Sequence, residues 1–164
     1  LVSEAKAILL AELEKSTAPY YFMSSLSSIA ENDGDDETAL DWRRKAYESS
    51  QGAATRFQWG ANYVRTLIRL TPEDDKLIVT TAMKLLLDID SEEDTFSGRN
   101  FRVLRSMTKS LRQWAEENAL GDSTTDEENT NNNGLIGSYN KLIETRCKAQ
   151  ESGTTALENC ATLI

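Results

Sequence analysis

Along this chain apolar residues return every three or four positions, and polar residues fill the places between them. A period near 3.6 belongs to helices with one buried face, so the pattern predicts an all-α fold of about seven or eight helices. Ala5, Ile8, Leu9 and Leu13 predict a short docking helix over 3–15, with Ser3 as its N-cap. Ser16-Thr17-Ala18-Pro19 breaks it, and Pro19 suits the first position of a helix over 19–31 whose face is Tyr20, Met23, Leu26, Ser27 and Ala30. After the turn Asn32-Asp33-Gly34, Asp35, Asp36 and Glu37 crowd the start of a helix over 36–50, where the positive end of the helix dipole favours them. Its inward residues are Ala39, Leu40, Trp42, Ala46 and Tyr47, and Gly52 closes it.

A helix over 54–70 follows, then a turn at Leu70-Thr71-Pro72-Glu73-Asp74. Thr71 as N-cap and Pro72 at the first helical position predict a further helix to Ile89, with Leu77, Ile78, Ala82, Leu85, Leu86 and Ile89 as its stripe. Leu77-Ile78-Val79-Thr80-Thr81 also has the composition of a strand, but the three-and-four spacing continues past it and favours the helix. Asp90 to Asp94 reads as an acidic loop, and a long helix over 95–118 carries Phe101, Leu104, Met107, Leu111 and Trp114 on one side. From Gly121 to Gly134 there is no hydrophobic residue, so 121–134 is expected to be a mobile loop. Helical spacing resumes at Leu135, Ile136, Tyr139, Ile143 and Cys147, and a break at Ser152-Gly153-Thr154 leads to a last short helix with Leu157, Cys160 and Ile164.

The stretch Gly52 to Leu70 organises the rest. Gly60, flanked by Trp59 and Tyr63, supplies the small residue that a tight helix contact needs, and counting back 33 places from Gly60 and Tyr63 reaches Ser27 and Ala30. The segment from Tyr20 to Ser50 resembles a tetratricopeptide repeat, a helical hairpin of about 34 residues. Gly34-Asp35 in the turn, Ala39 and Ala46 stand where that motif wants them, with Leu26 upstream. Ser27 replaces the usual glycine, Ala30 a bulky residue and Arg43 an aromatic; in the second unit Pro72, 12 residues after Gly60, replaces an alanine. The resemblance implies repeat-like hairpins in a right-handed α-α superhelix without the regularity of a full array.

Composition narrows the chemistry. A chain of 164 residues suits one helical domain over 1–164, and 18 Lys+Arg against 27 Asp+Glu give a net charge of -9, which opposes general binding to nucleic acid or anionic membranes. No apolar run approaches the ~20 residues of a membrane span, and no signal-peptide order is present. The start at Leu1-Val2-Ser3 without Met raises the expectation of a mature product or a piece excised from a longer chain. Histidine is absent, which removes imidazole-based nucleophiles, histidine zinc sites and the usual proton shuttle. The segment is therefore expected to be no enzyme and to need no cofactor.

Cys147 and Cys160 each lie in the apolar stripe of a helix, and a short turn between the helices would bring the sulfurs face to face as a structural disulfide in an oxidising compartment. The other reading is two separate buried thiols in a reducing cytosol. A redox-active pair is disfavoured by a spacing far from Cys-x-x-Cys. Arg56, Trp59 and Tyr63 share one helical side and are candidates for binding a protein or peptide, an arginine beside aromatics being hot-spot chemistry; internal packing is the competing reading. Arg102, Arg105, Lys109 and Arg112, extended by Arg99, form a basic stripe suited to an acidic partner or to a solvated helix face. The acidic runs Asp33 to Glu37, Asp88 to Asp94 and Asp126 to Glu128 lack the ligand spacing of a calcium loop, so no metal site is expected.

The run GAATRFQWGANYVRTLIRLTPED, with the hairpin before it and the two cysteines near the end, resembles the helical region that follows the thioredoxin domain in certain bacterial thioredoxin-family proteins. The resemblance covers most of the chain, with Gly52 to Asp74 its most specific part, and matches nothing over 121–134. It implies a parent thiol-disulfide oxidoreductase with an upstream thioredoxin domain, a periplasmic or envelope setting, and a supporting role in recognising substrate or partner, among them its own thioredoxin domain. No catalytic residue carries over, because no position matches the redox motif. A small-ligand-binding domain, a structural spacer, and an enzyme built on carboxylates are the rival functions.

Overall fold

A computed structural model describes residues 2–89, 95–121, 126–150 and 154–164, and all regular structure among them is helical. The helices are α1 (Val2–Leu13), α2 (Tyr20–Asn32), α3 (Asp36–Ser49), α4 (Ala53–Leu70), α5 (Asp75–Asp88), α6 (Gly98–Gly121), α7 (Asp126–Lys148) and α8 (Thr155–Ala161). Short polar signals set their ends. Gly34 takes φ +76°, which favours glycine, and the Asp35 N–H reaches back to the Ala30 carbonyl at 2.9 Å. Asp35 then caps α3 by accepting from the Thr38 N–H at 3.1 Å.

Several boundaries depart from the sequence reading. α1 starts at Val2, so Ser3 lies inside it and is not its N-cap; Pro19 is the N-cap of α2 and not its first residue; Ser50 is the C-cap of α3, while Gly52 is the N-cap of α4; and α6 runs Gly98–Gly121 where 95–118 was expected. At α5 the cap is Asp74, which accepts from the Leu77 N–H at 3.1 Å. Thr71 instead ends α4, its N–H bonded to the Leu67 carbonyl at 2.8 Å, and the Pro72 carbonyl takes the indole N–H of Trp114 at 2.9 Å. Both residue types cap well, and Thr71 is already engaged by the helix before it. At α7 the helix begins at Asp126, inside the segment expected to be a loop; 122–125 lie outside the described residues. Polarity does not prevent helix once Tyr139, Ile143 and Cys147 are buried, because each further residue adds a hydrogen bond at little cost, and the sequence Asp126-Glu127-Glu128 suits a helix N-terminus. The acidic loop expected over Asp90 to Asp94 and the break at Ser152-Gly153 lie outside the described residues.

The pairs α1–α2, α2–α3, α3–α4 and α4–α5 pack in chain order; α6 returns to lie on α4, and α7 packs on both α5 and α6, with α8 on α7. Close approach has a visible cause in two of the pairs. Between α2 and α3, the buried Ser27 hydroxyl donates to the Ala39 carbonyl at 2.7 Å. Between α4 and α5, a Cβ at Gly60 would lie 2.2 Å from Leu85 Cδ2. Past these residues α2 ends at Asn32, whereas α4 continues to Leu70, so the returning chain meets Gly60 at Leu85 and not near Pro72. Pro72 therefore falls in the turn of a longer hairpin and away from the close contact.

The predicted stripes are the core. On α6, Phe101, Leu104, Met107, Leu111 and Trp114 are all buried, and on α5 so are Ile78, Ala82, Leu85 and Leu86, with Ile89 buried just beyond its end. Leu77, in the first turn of α5, and Ile164, past the end of α8, were expected inward but are 38% and 70% exposed, and α1 buries no residue: Ile8 is 63% exposed, and only Leu9 and Leu13 are half-covered. Its apolar residues are spread around the helix, so no one face can take them all inward.

A two-point pair links α2 to α4: Arg69 Nε and Nη2 donate to the Glu31 carboxylate at 2.6 and 2.8 Å. The hydrogen bond from Arg69 lowers the Glu31 pKa, with burial opposing and the charges of Arg69 and Arg43 adding to the lowering. A depressed carboxylate pKa stabilises the fold above the unfolded value, near 4.5, and that contribution is lost as pH falls through the folded value. Acid titration of unfolding stability is therefore expected to be shallower below about pH 4.5 in Glu31→Gln than in the parent chain; superimposable acid limbs would contradict it.

Candidate interaction surface

The trio Arg56, Trp59 and Tyr63 shares one side of α4, but its members have separate duties. Arg56 is half-buried, and its Nη1 donates to the carbonyls of Glu48 at 3.3 Å and Ser50 at 3.2 Å, with the guanidinium 5.0 Å over the Tyr47 ring. It thus satisfies carbonyls that the end of α3 leaves without helical partners, where a cation is also favoured by the dipole. Tyr63 is 7% exposed and stacked on Tyr47 at 6.3 Å; burial raises its phenol pKa. Trp59 is half-buried against Tyr20 at 5.3 Å and Tyr21 at 5.4 Å. Of this surface only the Tyr21 ring is well exposed. The three residues therefore do not form one open face.

The basic stripe on α6 is better placed. Arg105, Lys109 and Arg112 line a single cleft of about 510 Å³, with Glu116 one turn on and Thr162 and Leu163 opposite; Arg102 is exposed outside it. Arg105 lies 5.8 Å over the Phe101 ring, and neither Arg105 nor Lys109 is in an ion pair with a carboxylate among the described residues. Arg112 has a structural duty as well: it donates to the Asn140 amide oxygen from Nε at 3.2 Å and Nη2 at 2.8 Å, and from Nη2 to the Leu163 carbonyl at 2.6 Å. This clamp joins α6, α7 and the C-terminal segment. A second cleft of about 480 Å³ opens on its other side, between Asn140, Lys141, Glu144 and Ile164.

The far wall of the first cleft is held by covalent chemistry. Cys147 and Cys160 form a disulfide, with Cα atoms 5.5 Å apart and both residues buried. Leu163 is buried beyond it, and the Asn159 side chain donates to the Phe96 carbonyl at 2.8 Å. Under the same helices Thr108 and Tyr139 share a buried hydrogen bond of 2.8 Å. Burial pushes the Tyr139 phenol far above its ordinary range, so this hydroxyl links α6 to α7 as a neutral group.

Sequence reasoning passed over a third group. Arg65 and Arg69, spaced i, i+4 on α4, face Arg43 on α3, and through Ser24 and Glu31 on α2 and Ser106 on α6 the three tie four helices together. The i, i+4 spacing of the two α4 arginines is visible in the sequence; that Arg43 from another helix joins them is not. Among the described residues no group of three or more Cys, Asp or Glu is placed to hold a metal ion, and no helix is long and apolar enough to cross a membrane. No protein-family model matches the chain, and no curated protein or solved structure matches it either.

Proposed function

We propose that this chain is a non-catalytic interaction domain whose α6 cleft receives an acidic segment of a protein partner. The observation that carries this reading is that Arg105 and Lys109 line an open cleft and, among the described residues, have no carboxylate partners, in a chain whose net charge is -9. Cations without carboxylate partners, set against an acidic background, give a partner a local positive field, which favours orientation and encounter. The cleft's charged lining suits a peptide better than a small apolar ligand.

The finer reading is that of a tetratricopeptide-like domain serving a thioredoxin-family thiol-disulfide oxidoreductase in the bacterial envelope, with the oxidoreductase domain or its substrate as partner. The buried disulfide supports an oxidising compartment, and the stacked helix pairs support the repeat-like architecture.

The test is charge reversal. Arg105→Glu with Lys109→Glu is expected to weaken capture of an acidic peptide about tenfold or more, as two exposed ionic contacts of up to about 1 kcal/mol each become repulsive. Both residues are exposed, so the melting temperature should barely move. Equal capture by the parent and the double variant would remove the cleft from the function.

A further inference from the structure

We propose that α4 carries a second acidic-peptide subsite, in which Arg65 and Arg69 hold carboxylates of the same extended segment that the α6 cleft receives, and the buried Arg43 adds its charge from beneath. It rests on that reading of the cleft and extends it across the neighbouring helices. The basis is an imbalance of charge where α2, α3 and α4 meet. Arg43 on α3 is 9% exposed; its Nη1 donates to the Ser24 hydroxyl at 2.6 Å, and its buried Nε has no acceptor. Arg65 is half-buried and donates to two neutral groups, the Ser106 hydroxyl at 3.0 Å and the Asn62 amide oxygen. Among the described residues, Glu31 on Arg69 is the one carboxylate paired with any of the three.

Guanidinium groups remain protonated at physiological pH, so two positive charges stand uncompensated in surroundings that screen them poorly. Burial first, and then the charge of Arg69, pulls the pKa of both Arg43 and Arg65 below the ordinary arginine value. An arriving anion relieves that cost. A carboxylate is the matching anion, because the cluster already holds one, Glu31, in the two-point geometry that guanidinium favours.

The ridge is continuous with the cleft. The Arg65–Ser106 bond carries it from α4 to α6, where Arg102 and Lys109 stand a turn to either side of Ser106. Packed helix axes lie about 8–10 Å apart, so crossing from α4 to α6 takes about 10 Å, and about six extended residues, about 20 Å long, reach past both helices. A short acidic strand laid across the helices meets Arg69 and Arg65 first and Lys109 and Arg105 last.

The experiment uses fluorescein-labelled hexaglutamate, read by anisotropy at low salt, on the parent chain, Arg65→Gln, Glu31→Gln and the cleft double variant Arg105→Glu/Lys109→Glu, each checked for folding by thermal melting. Arg65→Gln is expected to weaken binding about fivefold. Glu31→Gln, which removes the resident carboxylate and releases Arg69, is expected to tighten it about threefold, a gain that mere loosening of the fold does not produce. Unchanged affinity in Arg65→Gln, or weaker binding by Glu31→Gln, overturns the subsite; if the cleft variant alone loses binding, the reading of the cleft still stands. Both expected shifts without any effect of the cleft variant keep the subsite and remove the cleft. No binding to the parent chain overturns both. Inorganic phosphate competing more strongly than glutarate would overturn the assignment to carboxylates.

Discussion

Gly60→Val is expected to destabilise the chain by about 3 kcal/mol or more, measured by denaturant unfolding. A Cβ at this position meets Leu85 Cδ2 at 2.2 Å, Cδ1 at 2.9 Å and Cγ at 3.0 Å, all inside normal contact. Leu85 is itself 1% exposed and enclosed by the core, so it has no empty space to move into. Two effects compete in the milder change, Gly60→Ala. Overpacking by one carbon costs about 1–3 kcal/mol, while alanine in a helix interior returns up to about 1 kcal/mol relative to glycine, leaving a net loss of about 1–2 kcal/mol. Valine adds two methyl groups and a branched Cβ, and the balance then falls wholly on the side of the clash. Leu85→Ala alone is expected to cost about 2–5 kcal/mol by leaving a cavity. Combined with Gly60→Ala it should cost less than the sum of the two by about 1 kcal/mol or more, because each change relieves the other. A neutral or stabilising Gly60→Ala would show that α4 and α5 do not approach closely through this residue.

That contact was legible in the sequence because small residues among aromatics have few other uses inside a helix, and the same logic reached Ser27 33 residues earlier. The stripes of α5 and α6 were legible because burial follows spacing directly. The start of α7 was not. Polar composition excludes a buried face but says nothing against a helix whose other half is anchored, and Asp126 onward continues from Tyr139 and Ile143. The site divides in the same way. Basic residues at i, i+3, i+7 and i+10 on α6 had to share a face, and three of them line one cleft. Spacing within α4 could not show that Arg56 reaches back to the carbonyls of α3 or that Tyr63 turns inward onto Tyr47, since both depend on where a neighbouring helix lies. The arginine cluster failed to appear for the same reason: its members come from α3 and α4, and only packing brings Arg43 to Ser24 beside the Arg69–Glu31 pair.

Loss of the Cys147–Cys160 bridge is expected to have the other large effect. The bond closes a sequence separation of 13, for which the chain-entropy account gives about 3 kcal/mol. For a chain of this size that corresponds to a fall of about 10 °C in Tm, measured on Cys147→Ala/Cys160→Ala against the parent. The consequence is local before it is global. α8 has 7 residues, well short of the roughly 12–15 at which an isolated helix becomes even marginal, so the bridge and the burial of Cys160 and Leu163 keep it in place. Released, it takes with it the Leu163 carbonyl that Arg112 holds and the Thr162–Leu163 wall of the basic cleft. The double alanine variant should therefore lose affinity for acidic peptides while the α2–α4 arginine cluster, remote from the bridge in the chain, keeps its own contribution. Added reductant should do little to the folded protein, because both cysteines are almost wholly shielded, and should lower stability once unfolding exposes them. Two thiols that alkylate freely in the native chain without reductant would show that the bridge does not form, and the cleft would then lack the wall on which its proposed role depends.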